Sequence, residues 1–171
     1  MSKKVIVISD VDGCLTDGKF IYTADGKVAK TYGPHDNDGV KLLRKNGIEV
    51  QFISADKRGF DITSKRITDM KCPISLVSEA ERATHMLSFA DDYDMVVFFG
   101  DGLGDLAAAN KYREYADNLF FAAPANAYPT VYDAADYVTD LCGGDGAFLD
   151  LAQHLVYHEF ILDKDEIVDL Y

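Results

Sequence analysis

The chain predicts a doubly wound α/β fold, a parallel sheet with helices on both faces and a protruding β-hairpin. Three observations lead there. Val5-Ile6-Val7-Ile8 and Met95 to Phe99 are continuous apolar runs without alternation, as strands buried on both faces require. Helical stretches alternate with such strands along the chain. Turn-forming acidic and glycine residues follow two of the runs directly, as Ser9-Asp10-Val11-Asp12-Gly13 and Gly100-Asp101-Gly102.

In chain order, the first strand is followed by a hairpin. Phe20-Ile21-Tyr22 and Val28 to Tyr32 flank Asp25-Gly26, a pair that favours a tight hairpin turn, so the hairpin spans residues 19–32. A helix over Asp38 to Asn46 presents Val40, Leu42 and Leu43 on its apolar side, and Gly47 is its natural stop. Ile48 to Ile53 is a strand, residues 60–70 a helix with Ile62 and Ile67 apolar, and Ile74 to Val77 a short strand. Glu79 to Ala90 and the Ala-rich Leu106 to Tyr115 are expected as helices on either side of Met95 to Phe99. Leu119 to Ala122 and Tyr137-Val138 are short strands, and Gly146 to Phe160 is the last helix. The acidic tail, about residues 161–171, is open to two readings, a docked arm or a frayed end.

With 171 residues, 48% hydrophobic, and no repeat, linker or low-complexity stretch, the expectation is one domain with a full core and no inserted cap domain. The formal charge is −12, from 29 acidic and 17 basic residues, and such a surface repels nucleic acid. The apolar stretch before Ser9 is too short for a secretion signal or a membrane span. Cys14, Cys72 and Cys142 are far apart and in no metal-ligand spacing, which fits reduced thiols in a cytoplasmic protein.

The chemistry follows from the two acidic turns. In an open α/β sheet, ligands bind beyond the carboxyl ends of the strands. If the two apolar strands are neighbours, Asp10, Asp12, Asp101 and Asp105 converge there. Four carboxylates together need a cation, and a hard divalent ion such as Mg2+ suits oxygen ligands at a phosphate site.

Asp10 to Gly18, reading Asp-Val-Asp-Gly-Cys-Leu-Thr-Asp-Gly, resembles the first motif of the haloacid dehalogenase superfamily of phosphatases. Gly100 to Asp105 is similar to its last acidic motif. The hairpin, the Ala135 to Thr139 segment and Gly143-Gly144-Asp145-Gly146-Ala147 resemble the small capless branch that acts on phosphorylated sugar acids, 3-deoxy-D-manno-octulosonate 8-phosphate among them. The resemblance runs from about Val5 to about Leu155. It implies a Mg2+-dependent phosphatase that cleaves a small phosphorylated metabolite through an aspartyl-phosphate. Asp10 would be the nucleophile and Asp12 the general acid and base, its backbone carbonyl touching the metal. Asp101 would be a direct metal ligand, and Asp105 would support the metal through water or orient a neighbour. Ser54 would donate its hydroxyl to a phosphoryl oxygen. The family's homotetramer, built on hairpins from four subunits, is the implied assembly.

The sequence departs from that pattern at several places. The branch's lysine is missing from Ser78 to Ala83, and Arg82 stands where it is expected. Ser54-Ala55-Asp56-Lys57-Arg58 replaces a shorter Thr-Gly-Arg, so Arg58 takes the arginine's part only across an insertion. Asp145 stands where the branch often has an arginine. The candidate substrate contacts are His35, Asp36, Asn37, Lys41, Arg58 and Arg66. These departures leave open a catalytically degenerate oligomerisation module, or a phosphatase for another metabolite such as a nucleotide.

Overall fold

The computed structural model describes residues 2–159 and 161–171. Six parallel strands form one sheet: β1 (Val5–Asp10), β4 (Glu49–Ser54), β5 (Ile74–Leu76), β6 (Met95–Phe99), β7 (Leu119–Ala123) and β8 (Tyr137–Val138). Their order is β5-β4-β1-β6-β7-β8, so β1 lies centrally between β4 and β6. The separate antiparallel hairpin pairs β2 (Ile21–Thr23) with β3 (Gly26–Ala29).

The apolar runs go where their lack of alternation demands. Val5 and Val7 of β1 join a core shared with Leu42, Ile67, Phe148 and Leu151 on one face. Ile6 and Ile8 join Met86, Ala109, Tyr112 and Val131 on the other. Helices α1 (His35–Lys45), α2 (Phe60–Asp69) and α6 (Ala147–Tyr157) thus cover the first face. Helices α3 (Arg82–Leu87), α4 (Leu103–Arg113) and α5 (Pro129–Ala134) cover the second.

Several elements differ from the sequence expectation for local reasons. Helix α1 starts at His35 rather than Asp38: Pro34 precedes it with a helix-ready φ of −81°, and Asp36 and Asp38 place negative charge at its positive end. Gly39 therefore lies inside the helix, where a Cβ would come within 2.9 Å of the Phe148 ring. Glycine is what lets α1 and α6 approach so closely. Gly47, at φ 72°, terminates α1 from the left-handed region as expected.

The stretch expected as one helix over Glu79 to Ala90 is a 3-10 turn (Glu79–Glu81) followed by the short α3. Ser78 and Glu81 cap the turn reciprocally, and the Ser88 hydroxyl donates to the His85 carbonyl at 2.7 Å where the helix ends. Helix α4 begins three residues before Leu106, because the Asp105 carboxylate accepts from the Gly102 N–H at 3.0 Å. The hairpin's paired strands are shorter than expected, with Ala24 and Asp25 in the turn and Gly26, at φ 110°, opening β3. Helix α5, with proline at its start, has no counterpart in the expectation. The last helix stops at Tyr157, and the expected end at Phe160 lies outside the described residues.

The tail docks on its own chain. Val168 and Asn46 exchange hydrogen bonds at 2.7 and 2.8 Å, and the Lys45 ammonium donates to the Leu170 carbonyl at 2.8 Å. Cys14 and Cys72 are buried free thiols. Among the described residues no helix is long and apolar enough to cross a membrane.

Candidate active site

Strand register builds the site. Ser9 of β1 pairs with Phe99 of β6, and Asp10 pairs with Ile53 of β4. One step beyond each pairing, Asp10 stands beside the Gly100-Asp101 turn and Ser54 stands beside Asp10. The connection after β5 returns across β1 to β6, so the carboxylates lie at the point where strand order reverses.

Asp10 is buried, and Arg82 holds it from the first residue of α3. The guanidinium donates to both Asp10 oxygens, Nη1 to Oδ2 at 3.3 Å and Nη2 to Oδ1 at 3.4 Å. Nη1 also pairs with Asp105 Oδ1. Arg82 is only 4% exposed, so it is a buried site residue rather than a surface helical arginine. Asp105 is committed on both oxygens, since Oδ2 accepts from the Asp101 and Gly102 N–H groups, each at 3.0 Å. One residue thus caps α4, shapes the Asp101 turn and orients Arg82.

Asp101 completes the cluster. One oxygen each from Asp10, Asp101 and Asp105 lie within 4.8 Å of one another. Burial, then the Asp105 charge, push the Asp10 carboxyl well above its usual range, with Arg82 pulling it down. Burial, then Asp105, push Asp101 up to about 7. One arginine therefore does not offset the charge, and three carboxylates in this space fit a hard divalent cation, with oxygen donors alone. Gly13 makes the approach possible: its φ is 90°, and a Cβ there would sit 1.9 Å from Asp101 Oδ2.

Asp12 is turned elsewhere. Both its oxygens lie 2.8 Å from Lys30 Nζ, just past β3. That ammonium also reaches Asp56 Oδ2 at 2.8 Å and Thr63 Oγ1 at 2.7 Å. The Ser54 hydroxyl is buried and accepts the Asp56 N–H at 3.1 Å. Asn126 binds the loops together, donating to the Gly13 carbonyl at 3.1 Å and accepting from the Gly143 N–H at 2.6 Å.

The expected substrate contacts separate. Asp36 is buried with Oδ2 lacking a hydrogen-bond partner, and burial pushes its carboxyl up to about 7 against the pull of Arg66. Arg66 donates to the Gly33 carbonyl at 2.9 Å and faces the Tyr32 ring. Asn37 is half-buried in the first turn of α1 and Arg58 is exposed on the loop after β4. His35 and Lys41 each pair with Asp38 at 3.6 Å, and His35 borders a groove under the tail rather than the acidic cluster. Asp145 lines a cavity of about 130 Å³ with Asp17, Thr31 and Gly144. The sequence does not single out Lys30, Asp56, Thr63 or Asn126 as site residues. Only the turn chemistry of Asp56 and Asn126 gave any local signal.

A parallel sheet that presents a buried nucleophile-like carboxylate, an acidic metal-fitting cluster and a pairing arginine beyond adjacent strands defines a haloacid dehalogenase-type hydrolase. No protein-family model matches the chain. The 3-deoxy-D-manno-octulosonate 8-phosphate phosphatase of Haemophilus influenzae is 30% identical over 154 residues, covering 88% of this chain and 81% of that protein. The structure of the cobalt-bound phosphatase of that description, also from Haemophilus influenzae, superposes with TM-score 0.73 at 29% identity, covering 88% of this chain and 86% of the other. A probable YrbI-family phosphatase from Pseudomonas syringae gives TM-score 0.76 at 27% identity, covering 92% and 87%. The chain belongs to the haloacid dehalogenase superfamily, among the phosphatases related to 3-deoxy-D-manno-octulosonate 8-phosphate phosphatase, and is a phosphoric monoester hydrolase.

Proposed function

We propose that this phosphatase hydrolyses a small phosphorylated sugar or sugar acid, of the 3-deoxy-D-manno-octulosonate 8-phosphate kind, through a phosphoryl group carried on Asp10. The observation that carries the reading is the Asp10 carboxylate, held on both oxygens by buried Arg82 beside Asp101 and Asp105. An Asp10 oxygen attacks phosphorus as the bond to the leaving oxygen breaks, and Asp12 gives that oxygen its proton. Asp12, now a carboxylate, takes a proton from water as the water oxygen attacks the acyl phosphate. Inorganic phosphate leaves, Asp10 is restored and Asp12 again holds its proton.

Arg82 keeps Asp10 oriented and faces the incoming phosphoryl oxygens, while the Ser54 hydroxyl lies at the neighbouring strand end to donate to one of them. The Asp10 and Asp101 carboxylates, the Asp12 backbone carbonyl and, through water, Asp105 would hold Mg2+. The ion would offset the charge between an anionic nucleophile and an anionic phosphate. His35, Asp36, Asn37, Lys41, Arg58 and Arg66 stand as the candidates for holding the leaving group.

The 171 residues form one capless unit in this reading, acting in the cytoplasm. The exposed Phe20, Ile21, Tyr22 and Val28 of the hairpin support a homotetramer centred on it, since an isolated two-stranded hairpin is marginal in water. The test is turnover of 4-nitrophenyl phosphate and of 3-deoxy-D-manno-octulosonate 8-phosphate with and without Mg2+, alongside light scattering. Activity lost on chelation and restored by Mg2+, in a particle of four chains, is the expected result. Activity indifferent to chelator removes the metal, and a monomer at micromolar concentration removes the assembly.

A further inference from the structure

We propose that Lys30 is a positioning residue for Asp12, fixing the carboxylate on the leaving-group side of the site and tying it to the hairpin. This rests on the acid and base role given to Asp12 above. The Lys30 side chain is wholly buried, and its ammonium has three N–H donors. Asp12 and Thr63 accept from it at 2.8 and 2.7 Å, and Asp56 Oδ2 pairs with it at 2.8 Å. These groups enclose the ammonium, so its role is towards Asp12 itself.

The surroundings are built for this contact. Lys27, from β3 just before Lys30, pairs with Asp56 at 2.5 Å, and Asp56 Oδ1 accepts the Gly59 N–H at 3.2 Å. A Cβ on Gly59 would meet Asp56 Oδ2 at 2.3 Å, Lys27 Cδ at 2.8 Å and Lys30 Cε at 2.9 Å. Glycine there is what admits both lysine stems under the loop after β4. The electrostatics point the same way. The Asp101 charge acts on Asp12 from the cluster side, and Asp56 lies beyond Lys30. Without the ammonium between them, repulsion from both sides would leave the Asp12 carboxylate without a fixed direction. A general acid must lie within hydrogen-bond reach of the leaving oxygen, so a side chain free to swing would seldom be in place to serve it. The hairpin is thereby joined to the chemistry by a residue of the same subunit.

Leaving-group dependence tests this. Phenyl phosphate expels a strongly basic phenolate that needs a proton, whereas 4-nitrophenyl phosphate expels a weakly basic one that hardly does. With Mg2+ present, Lys30→Met should lower kcat for phenyl phosphate by about 10²-fold, in the range general acids supply. The loss for 4-nitrophenyl phosphate should be at least tenfold smaller, with KM nearly unchanged for both. Lys30→Arg should recover part of the ratio. Lys27→Met shares the hairpin and Asp56 but not Asp12, and should leave the ratio alone. Thr63→Val, which removes one partner of the ammonium without emptying the site, should shift the ratio the same way by less and serves if Lys30→Met does not fold. Equal losses on the two esters, or a raised KM with kcat intact, would overturn the assignment in favour of a purely structural or a substrate-binding lysine. Asp12→Asn separates the two layers. If it fails to widen the ratio, the role of Asp12 falls and Lys30 with it. If it widens the ratio and Lys30→Met does not, Lys30 alone falls.

Discussion

The carboxylate cluster and the Lys30 clasp lie on two sides of the same turn and are held by opposite means. Asp10, Asp101 and Asp105 are fixed by backbone: strand ends in register, a helix start whose N–H groups bind Asp105, and a glycine that lets Asp101 close in. Among the described residues, Arg82 is the one cation paired with them, and it does not balance their charge. Asp12, two residues from Asp10, is held by one side chain, Lys30, which is itself anchored on Asp56 and Thr63 from two further segments. The first region fits a further cation. The second already contains one. In the proposed mechanism the metal and the directed acid would thus be served by separate electrostatic arrangements.

The largest expected effect falls on the first region. Arg82→Ala leaves buried Asp10 and Asp105 without their counter-charge, and breaking such a pair costs about 3–5 kcal/mol. Loss of most turnover and a large fall in melting temperature are expected, with Arg82→Lys keeping part of both. A stable, active Arg82→Ala variant would mean that Asp10 is oriented by something else.

The second effect separates the regions by pH. Asp101 is pushed up to about 7 by burial and then by Asp105, and Asp10 is raised as well, so below that pH protons compete with the metal. The rise in melting temperature that Mg2+ produces should be largest near pH 8 and shrink steadily towards pH 6, read by thermal denaturation. A shift independent of pH over that range would place the metal elsewhere.

The third and smallest concerns Asp36, outside the cluster. Burial raises its carboxyl from 3.8 to about 7, with Arg66 pulling the other way. Between those values the folded chain keeps a proton that the unfolded chain releases, so this group's contribution to stability falls as pH rises through the window and is level above it. Asp36→Asn should flatten that slope and stabilise the chain at pH 8 by up to a few kcal/mol, at roughly 1.4 kcal/mol per pH unit. An unchanged pH–stability curve would show that Arg66 already compensates the charge.

The same contrast decides what could be read from sequence. The cluster was legible because its residues sit in two short segments directly after apolar strands, where chain position and spatial position coincide. Ser54, the last residue of β4, and Arg82, the first of α3, were placed by the resemblance to the family's motifs. Lys30 could not, because a lysine just past a hairpin strand looks like any solvated residue until the loop after β4 folds over it. His35 and Lys41 show the converse, residues close in sequence to a candidate that the fold sets apart from the cluster. They share a short stretch with Asp36, but the helix starts at His35 and sends them to its outer side, to Asp38 and the tail groove. Helix α5 went unread because its six residues follow a turn and carry little periodicity.

The central claim is that Asp10 carries the phosphoryl group. The direct measurement is an acid quench of the enzyme during turnover of 4-nitrophenyl phosphate with Mg2+, followed by peptide mapping by mass spectrometry. The account predicts the mass of one phosphoryl group on the peptide containing Asp10, abolished by hydroxylamine and missing in Asp10→Asn, which should also lose turnover by orders of magnitude. A phosphoryl group on another residue, or an Asp10→Asn variant that keeps substantial turnover, would contradict it.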